Sequence, residues 1–120
     1  MTQFKYAPLN LYDNYATASH YWPHVPIYLD RPLAAFPELG LETSYKASLE
    51  VIDRRAGQLV ALGIKPGTMV MVYKSPAFDT YLLALALTKL GAVPVMVSYH
   101  LGADVIKVFG QRLGPGHALI

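Results

Sequence analysis

The sequence predicts an α/β chain, part of a doubly wound parallel sheet with a short irregular lead-in. Three observations carry that expectation. Two continuous apolar runs of strand length, Met69 to Tyr73 and Ala92 to Val97, flank a helix that is apolar nearly all round, Ala77 to Leu90. Parallel strands covered on both faces read as unbroken apolar runs, where half-exposed strands alternate. A strand, a helix and a strand within about thirty residues make a βαβ unit, whose crossover is right-handed. Five of the nine prolines fall before residue 38, which restricts the first third to short or irregular pieces.

The elements follow in order. Asn10, with Asp13 three residues on, supplies the polar groups of a helix start. Leu11, Tyr15, Ala18 and Trp22 recur at spacings of three and four, and Pro23 ends that helix. Pro26 to Asp30 reads as a short strand, and Arg31 to Glu42, with Pro32, Pro37 and Gly40, as a connecting loop. Leu41 to Tyr45 pairs back as a second short strand. From Tyr45 the pattern is regular: Leu49, Ile52, Ala56, Leu59 and Gly63 form one stripe, with Glu50, Asp53, Arg54 and Arg55 off it. That is a helix with one buried face. Gly63-Ile64-Lys65-Pro66-Gly67 stops it, a glycine followed by proline as helix C-termini prefer. After the first apolar strand, Ser75-Pro76 offers an N-cap and a first-turn proline, and Gly91 stops the helix that follows. A further helix spans about Ala103 to Leu113 and ends at Gly114-Pro115-Gly116. His117-Ala118-Leu119-Ile120 then opens another strand. Natural domains seldom stop as a core strand begins. The expectation is therefore one domain over 1–120, itself a segment of something larger, with a lead-in at 1–42 and a βαβ core at 43–120.

Composition sharpens this. The 120 residues are 53% apolar and 15% charged, against a typical ~45–50% and ~25%. Intrinsic disorder needs the opposite balance. A domain this small has much surface to cover and few charges to cover it with, so the surplus apolar surface is meant for more protein. The partner is the remainder of a longer chain or a second copy in a homo-oligomer. The simplest homo-oligomer is a two-fold dimer that joins sheet edges or exchanges an element, with the helix at 103–113 best placed to make the contact. The formal charge is +2, and Arg54-Arg55 is the one adjacent basic pair, so no nucleic-acid footprint is visible. Without cysteine there is no disulfide, thiolate metal site or thiol nucleophile. MTQFKYAPLN lacks the apolar run of a secretory signal, which fits a cytoplasmic protein. Tyr81 to Ser98 reaches the minimum length of a membrane span, but Lys89 sits at its middle and Gly91 and Pro94 follow. A buried helix running into a buried strand has the same composition, and no membrane span is expected.

Few residues carry chemistry. Neither GxGxxG nor GxxxxGK[ST] occurs, and Gly110, Gly114 and Gly116 follow a helix where a dinucleotide fingerprint would precede one. His20 and His24 have the i,i+4 spacing of zinc ligands, but Pro23 between them breaks the helix and no third ligand is near, so no metal site is expected. His100 follows the second apolar strand, at the carboxyl end where α/β sheets bind ligands, without a carboxylate beside it to orient it. No two carboxylates form a close acid–base pair, so no catalytic residue is assigned. The one candidate anion site is Lys74-Ser75, between a strand's carboxyl end and a helix N-terminus, where amides and the macrodipole favour negative charge. The simpler alternative has Ser75 capping the helix and Lys74 in solvent.

One ordered set of residues is specific. It comprises Thr43-Ser44-Tyr45, Ala56-Gly57-Gln58-Leu59, Leu62-Gly63-Ile64-Lys65-Pro66-Gly67, Val70 and Ser75-Pro76-Ala77-Phe78, then Leu87-Thr88-Lys89-Leu90-Gly91-Ala92-Val93-Pro94-Val95. It resembles the N-terminal part of the adenylate-forming (AMP-binding) superfamily, of the acyl-CoA synthetase and AMP-acid ligase type, most firmly over Tyr45 to Val97. Two positions depart from the family pattern: Thr68 stands where an acidic residue is usual, and Ser98-Tyr99-His100 replaces the proline after the second strand. The resemblance implies a parent reaction in which ATP activates a carboxylate to an acyl-adenylate that passes to a thiol, commonly CoA. ATP, Mg and CoA are thus implied for the full-length enzyme and no cofactor for this segment. The family's Ser/Thr/Gly-rich loop ending in P-K-G, its ribose-binding aspartate and its C-terminal catalytic lysine are absent from this sequence, so no catalytic residue transfers. The expected role is scaffold, inactive alone. The alternative is a stand-alone, non-catalytic interaction module of the same fold.

Overall fold

A computed structural model describes residues 10–73, 78–98, 100–114 and 118–119. Among these residues four α-helices and two small sheets follow the order expected. Helix α1 (Leu11–Tyr21) opens where Asn10 accepts the backbone N–H of Asp13 at 2.9 Å. Strands β1 (Pro26–Tyr28) and β2 (Glu42–Ser44) pair antiparallel, Ile27 against Thr43. A 3-10 turn at Pro37–Leu39 lies between them. Ser44 then caps α2 (Tyr45–Ala61), its hydroxyl accepting the N–H of Ala47 at 3.1 Å. Strand β3 (Met69–Tyr73), α3 (Phe78–Lys89) and β4 (Val93–Val97) are the βαβ unit, with β3 and β4 parallel and Met71 opposite Val95. Helix α4 (Ala103–Leu113) leads to β5 (Ala118–Leu119), which pairs parallel with β3, so the strand order is β4-β3-β5. The strand opening expected at 117–120 is therefore present over its described residues.

Helices α1, α2 and α3 pack on one another, and α3 also lies against β3 and β4. Leu82, Leu85 and Leu87 of α3 are fully buried among Ile52, Val70 and Val72. Complete burial of each such side chain contributes about 1.5–3 kcal/mol, so α3 is the keel of the core. Its burial is not uniform, since Tyr81 stays partly exposed.

Two expectations change in detail. The buried face of α2 comprises Ser48, Val51, Ile52, Ala56 and Leu59, with Leu49 only partly buried and Gly63 exposed. Ser48 enters because its hydroxyl donates to the Ser44 carbonyl at 2.6 Å and meets the Tyr15 hydroxyl at 2.5 Å. A serine hydroxyl has one hydrogen, so Tyr15 is the donor in the second bond. The other change concerns β4, which is an edge strand and leaves Val93 and Met96 half exposed. The N–H of Val93 donates to the Thr68 carbonyl at 2.8 Å, so Val93, Val95 and Val97 turn their backbone groups toward β3. Pro94 and Met96 consequently face outward, and the amide hydrogen that proline lacks costs the ladder nothing.

The turn between α3 and β4 locks to the turn before β3. Gly91 has φ +75°, and its carbonyl accepts the N–H of Gly67 at 2.9 Å. Added at Gly91, a Cβ would stand in ordinary contact, 3.4 Å from Pro66 Cβ, so it is the dihedral of this position that needs glycine.

Candidate functional site

In a parallel sheet the strands' carboxyl ends and the following helix N-termini form the natural ligand-binding rim. Here that rim is built from the end of β3, the end of β4, the turn before α4 and the start of α3. Lys74 and Ser75, the candidate anion site, lie outside the described residues, so the site is read from its flanks. On the strand side, Tyr73 closes β3 half buried, and its hydroxyl donates to the Leu101 carbonyl. That bond ties the end of β3 to the turn that leads into α4. Gly102 caps α4 through its backbone, its carbonyl accepting the N–H groups of Val105 and Ile106 at 3.1 and 3.2 Å. His100 stands at this rim, past β4, its backbone N–H donating to Ser98 Oγ at 3.2 Å.

On the helix side, Phe78 and Tyr81 stack at 5.7 Å, and Asp79 is 3% exposed. One oxygen of Asp79 accepts the backbone N–H of Ala35 at 3.2 Å. Its other oxygen has no hydrogen-bond partner among the described residues. A carboxylate in the first turn of a helix is favoured by the macrodipole, which explains why it can be held there. Its visible task is to tether the segment around Ala35 to α3. Nothing in the sequence pattern marks Asp79, because a buried acid is invisible to hydrophobic periodicity.

Among the described residues, the displaced titrations lie on α1, α2, α3 and the 3-10 turn. Lys89 is raised by its hydrogen bond to Asp53, and Tyr12 by burial and by the same carboxylate. Burial raises Tyr15, and the Arg55 hydrogen bond lowers Glu38. These groups staple helices and loops together, and none lies among the rim residues.

His20 and His24 are brought together at one cleft. Helix α1 ends at Tyr21, so His20 is helical and His24 is in the turn beyond Pro23. They line one open cleft of about 450 Å³ with Lys46, Ser19, Pro23 and Leu49. Among the described residues no group of three or more His, Cys, Asp and Glu side chains is placed to hold a metal ion. No described helix is long and apolar enough to cross a membrane.

The fold matches solved structures closely. It superimposes on the N-terminal domain of FACL13 from Mycobacterium tuberculosis with a TM-score of 0.70 at 23% identity, covering 83% of this chain and 24% of that one. The N-terminal subdomain of NpsA from Klebsiella oxytoca gives 0.71 at 22% identity, covering 92% and 26%. That subdomain is also solved in complex with 3-hydroxybenzoyl-AMSN. In sequence, the chain is 40% identical over 91 residues to a 3-amino-2-hydroxy-4-methoxybenzoate diazotase from Streptomyces cremeus, covering 75% of this chain and 16% of that enzyme. It is 39% identical over 69 residues to the fatty acid–[acyl-carrier-protein] ligase MmaC of Mycobacterium marinum, covering 58% and 13%. The chain thus spans less than a fifth of either relative's length. No family model matches it.

Proposed function

We propose that this chain, which has the fold of the N-terminal domain of the adenylate-forming acyl-CoA synthetases and distant relatives among curated ligases, serves as N-terminal scaffold for an AMP-forming acid–thiol ligase. The observation behind this reading is one of coverage: most of the chain superimposes on those domains while accounting for about a quarter of each. The parent reaction is activation of a carboxylic acid by ATP to an acyl-adenylate, followed by thioester formation.

The described residues of the rim offer ATP and Mg little to hold them. A triphosphate needs a cradle of backbone amides or cationic side chains and a partner for its ribose. The described rim offers Tyr73, Ser98 and His100, and Tyr73 is already engaged with Leu101. The nucleotide, the metal and CoA would therefore be held by residues of the longer enzyme. In this reading residues 1–120 act as one unit. The half-exposed Val93 and Met96 of β4 and the exposed side of α4 are covered by the remainder of the ligase or by a second copy.

ATP–pyrophosphate exchange with a panel of fatty and aromatic acids tests the assignment. The purified chain is expected to give no exchange above background. Turnover by the chain alone would overturn the scaffold reading.

A further inference from the structure

The cleft that holds His20 and His24 has a character the scaffold role does not use. Its walls come from the last turns of α1, from the turn after it, and from the first turns of α2. Ala16, Pro23 and Leu49 supply apolar lining, while His20, His24 and Lys46 supply every titratable group on it. No carboxylate lines the cleft, and none of these three residues makes an ion pair among the described residues. Glu50, one turn after Lys46, lines a separate cleft of about 490 Å³ with Glu38 and Glu42, and His24 borders both. The basic cleft is also structurally anchored, since the Lys46 backbone N–H donates to the Pro23 carbonyl at 3.1 Å.

An aromatic row continues outward from its rim. The His20 ring lies 5.0 Å from Tyr21, edge to face, and Tyr21 lies 5.9 Å from Trp22. Tyr21 and Trp22 are 67% and 59% exposed. Large amphipathic rings beside a lined groove are the composition of protein-binding hot spots. A small anion filling the groove would leave those rings bare, whereas a protein segment would cover groove and rings together.

We propose that this face docks an acidic amphipathic helix of a partner protein. Carboxylates on that helix meet Lys46 and the two histidines, and its apolar side chains meet Leu49, Pro23 and Trp22. Charge complementarity selects the occupant, because a neutral apolar segment would leave Lys46 desolvated without a partner. None of the lining residues belongs to β3, β4 or β5, so the site stands apart from the sheet rim and does not depend on the ligase reading.

Trp22 is the sole tryptophan, which makes it a built-in reporter. The probe is a synthetic helical peptide with Leu on one face and Glu on the other, titrated into the chain while Trp22 emission is followed. A Lys-for-Glu version and inorganic phosphate are titrated in parallel. The expected result is a saturable blue shift with the acidic peptide alone. It should weaken as salt rises from about 0.1 M to about 1 M, where the screening length shrinks from ~10 Å to ~3 Å. Lys46→Glu should weaken the response about tenfold and Lys46→Arg should retain it, with unchanged circular dichroism in both because the side chain is exposed. An equal response to both peptides would overturn the proposal, as would no response to the acidic one. A phosphate response that saturates and blocks the peptide would reduce the site to an anion pocket and overturn it too.

Discussion

Lys89 Nζ lies 2.7 Å from Asp53 Oδ1, joining the last turn of α3 to the middle of α2. The same oxygen accepts the Tyr12 hydroxyl at 2.7 Å, and the ammonium lies 5.1 Å from the centre of the Tyr12 ring. Three helices thus converge on one carboxylate that is partly open to water.

Asp53→Asn should therefore weaken both contacts at once. The pair is more than a third exposed on the carboxylate side, which limits its worth to about 1 kcal/mol. The urea midpoint should fall with an unchanged slope. The pH dependence has a definite sign. Lys89 and Tyr12 both titrate above their ordinary values of 10.5 and 10.0 in the folded chain, so the folded state holds their protons more tightly. That contribution is fully present below about pH 10 and is lost as pH rises through the raised values. Stability should be level up to about pH 9.5 and decline beyond, and Asp53→Asn should flatten the decline.

Arg55 grips the loop before the 3-10 turn. Its Nε and Nη2 donate to the Ala35 carbonyl at 3.2 and 2.8 Å, Nη2 also reaches Glu38 at 2.7 Å, and the guanidinium lies over Phe36 at 5.0 Å. Lysine cannot reproduce a fork and a stacked plane together. Arg55→Lys should cost about 1 kcal/mol in thermal unfolding. Glu38, held below its ordinary value of 4.5 by Arg55, should then titrate nearer that value by NMR. In the parent chain this pair stabilises above about pH 4.5 and stops doing so as pH falls through the lowered value.

Asp79→Ala leaves the Ala35 N–H without its acceptor in a partly buried setting. A loss of about 1–3 kcal/mol is expected in urea unfolding, with Asp79→Asn milder because its amide oxygen can accept the same hydrogen. Equal losses from both substitutions would show that the tether to Ala35 is not what Asp79 contributes.

Two glycines should respond in opposite directions. Gly57 lies within α2, exposed and with open space where a Cβ would go, so Gly57→Ala should stabilise by up to about 1 kcal/mol. Gly91→Ala must adopt φ +75° against Pro66, and should destabilise by about 1–2 kcal/mol. Thermal melts of the two variants side by side make the comparison.

The order of elements was legible because local signals agreed with one another. Asn10 caps the helix its position predicts, and the glycine stop after α2 falls where the periodicity ends, while the cap at Ser44 is hidden in a stretch that reads as strand. Edge position was not legible. Val93 to Val97 is as apolar as a central strand, and only pairing decides which apolar strand is covered. Ser48 and Asp79 escaped for a related reason, since hydrophobic pattern cannot register a polar group whose burial depends on a partner far along the chain. The cleft of His20 and His24 was half seen. Pro23 between the two histidines tells against a helical metal pair, but nothing in the spacing places Lys46 and Leu49 opposite them.

Pro94 gives the small sheet a direction of growth. A strand approaching β4 from outside would meet the carbonyls of Pro94 and Met96 but only one amide hydrogen between them, at Met96. Such a strand could donate more than it receives and would zip unevenly. Side chains of β4 can still be covered by something laid across them, as a lid covers a box whose rim will not take another plank. Further backbone pairing is channelled to the opposite edge of the sheet, the β5 side.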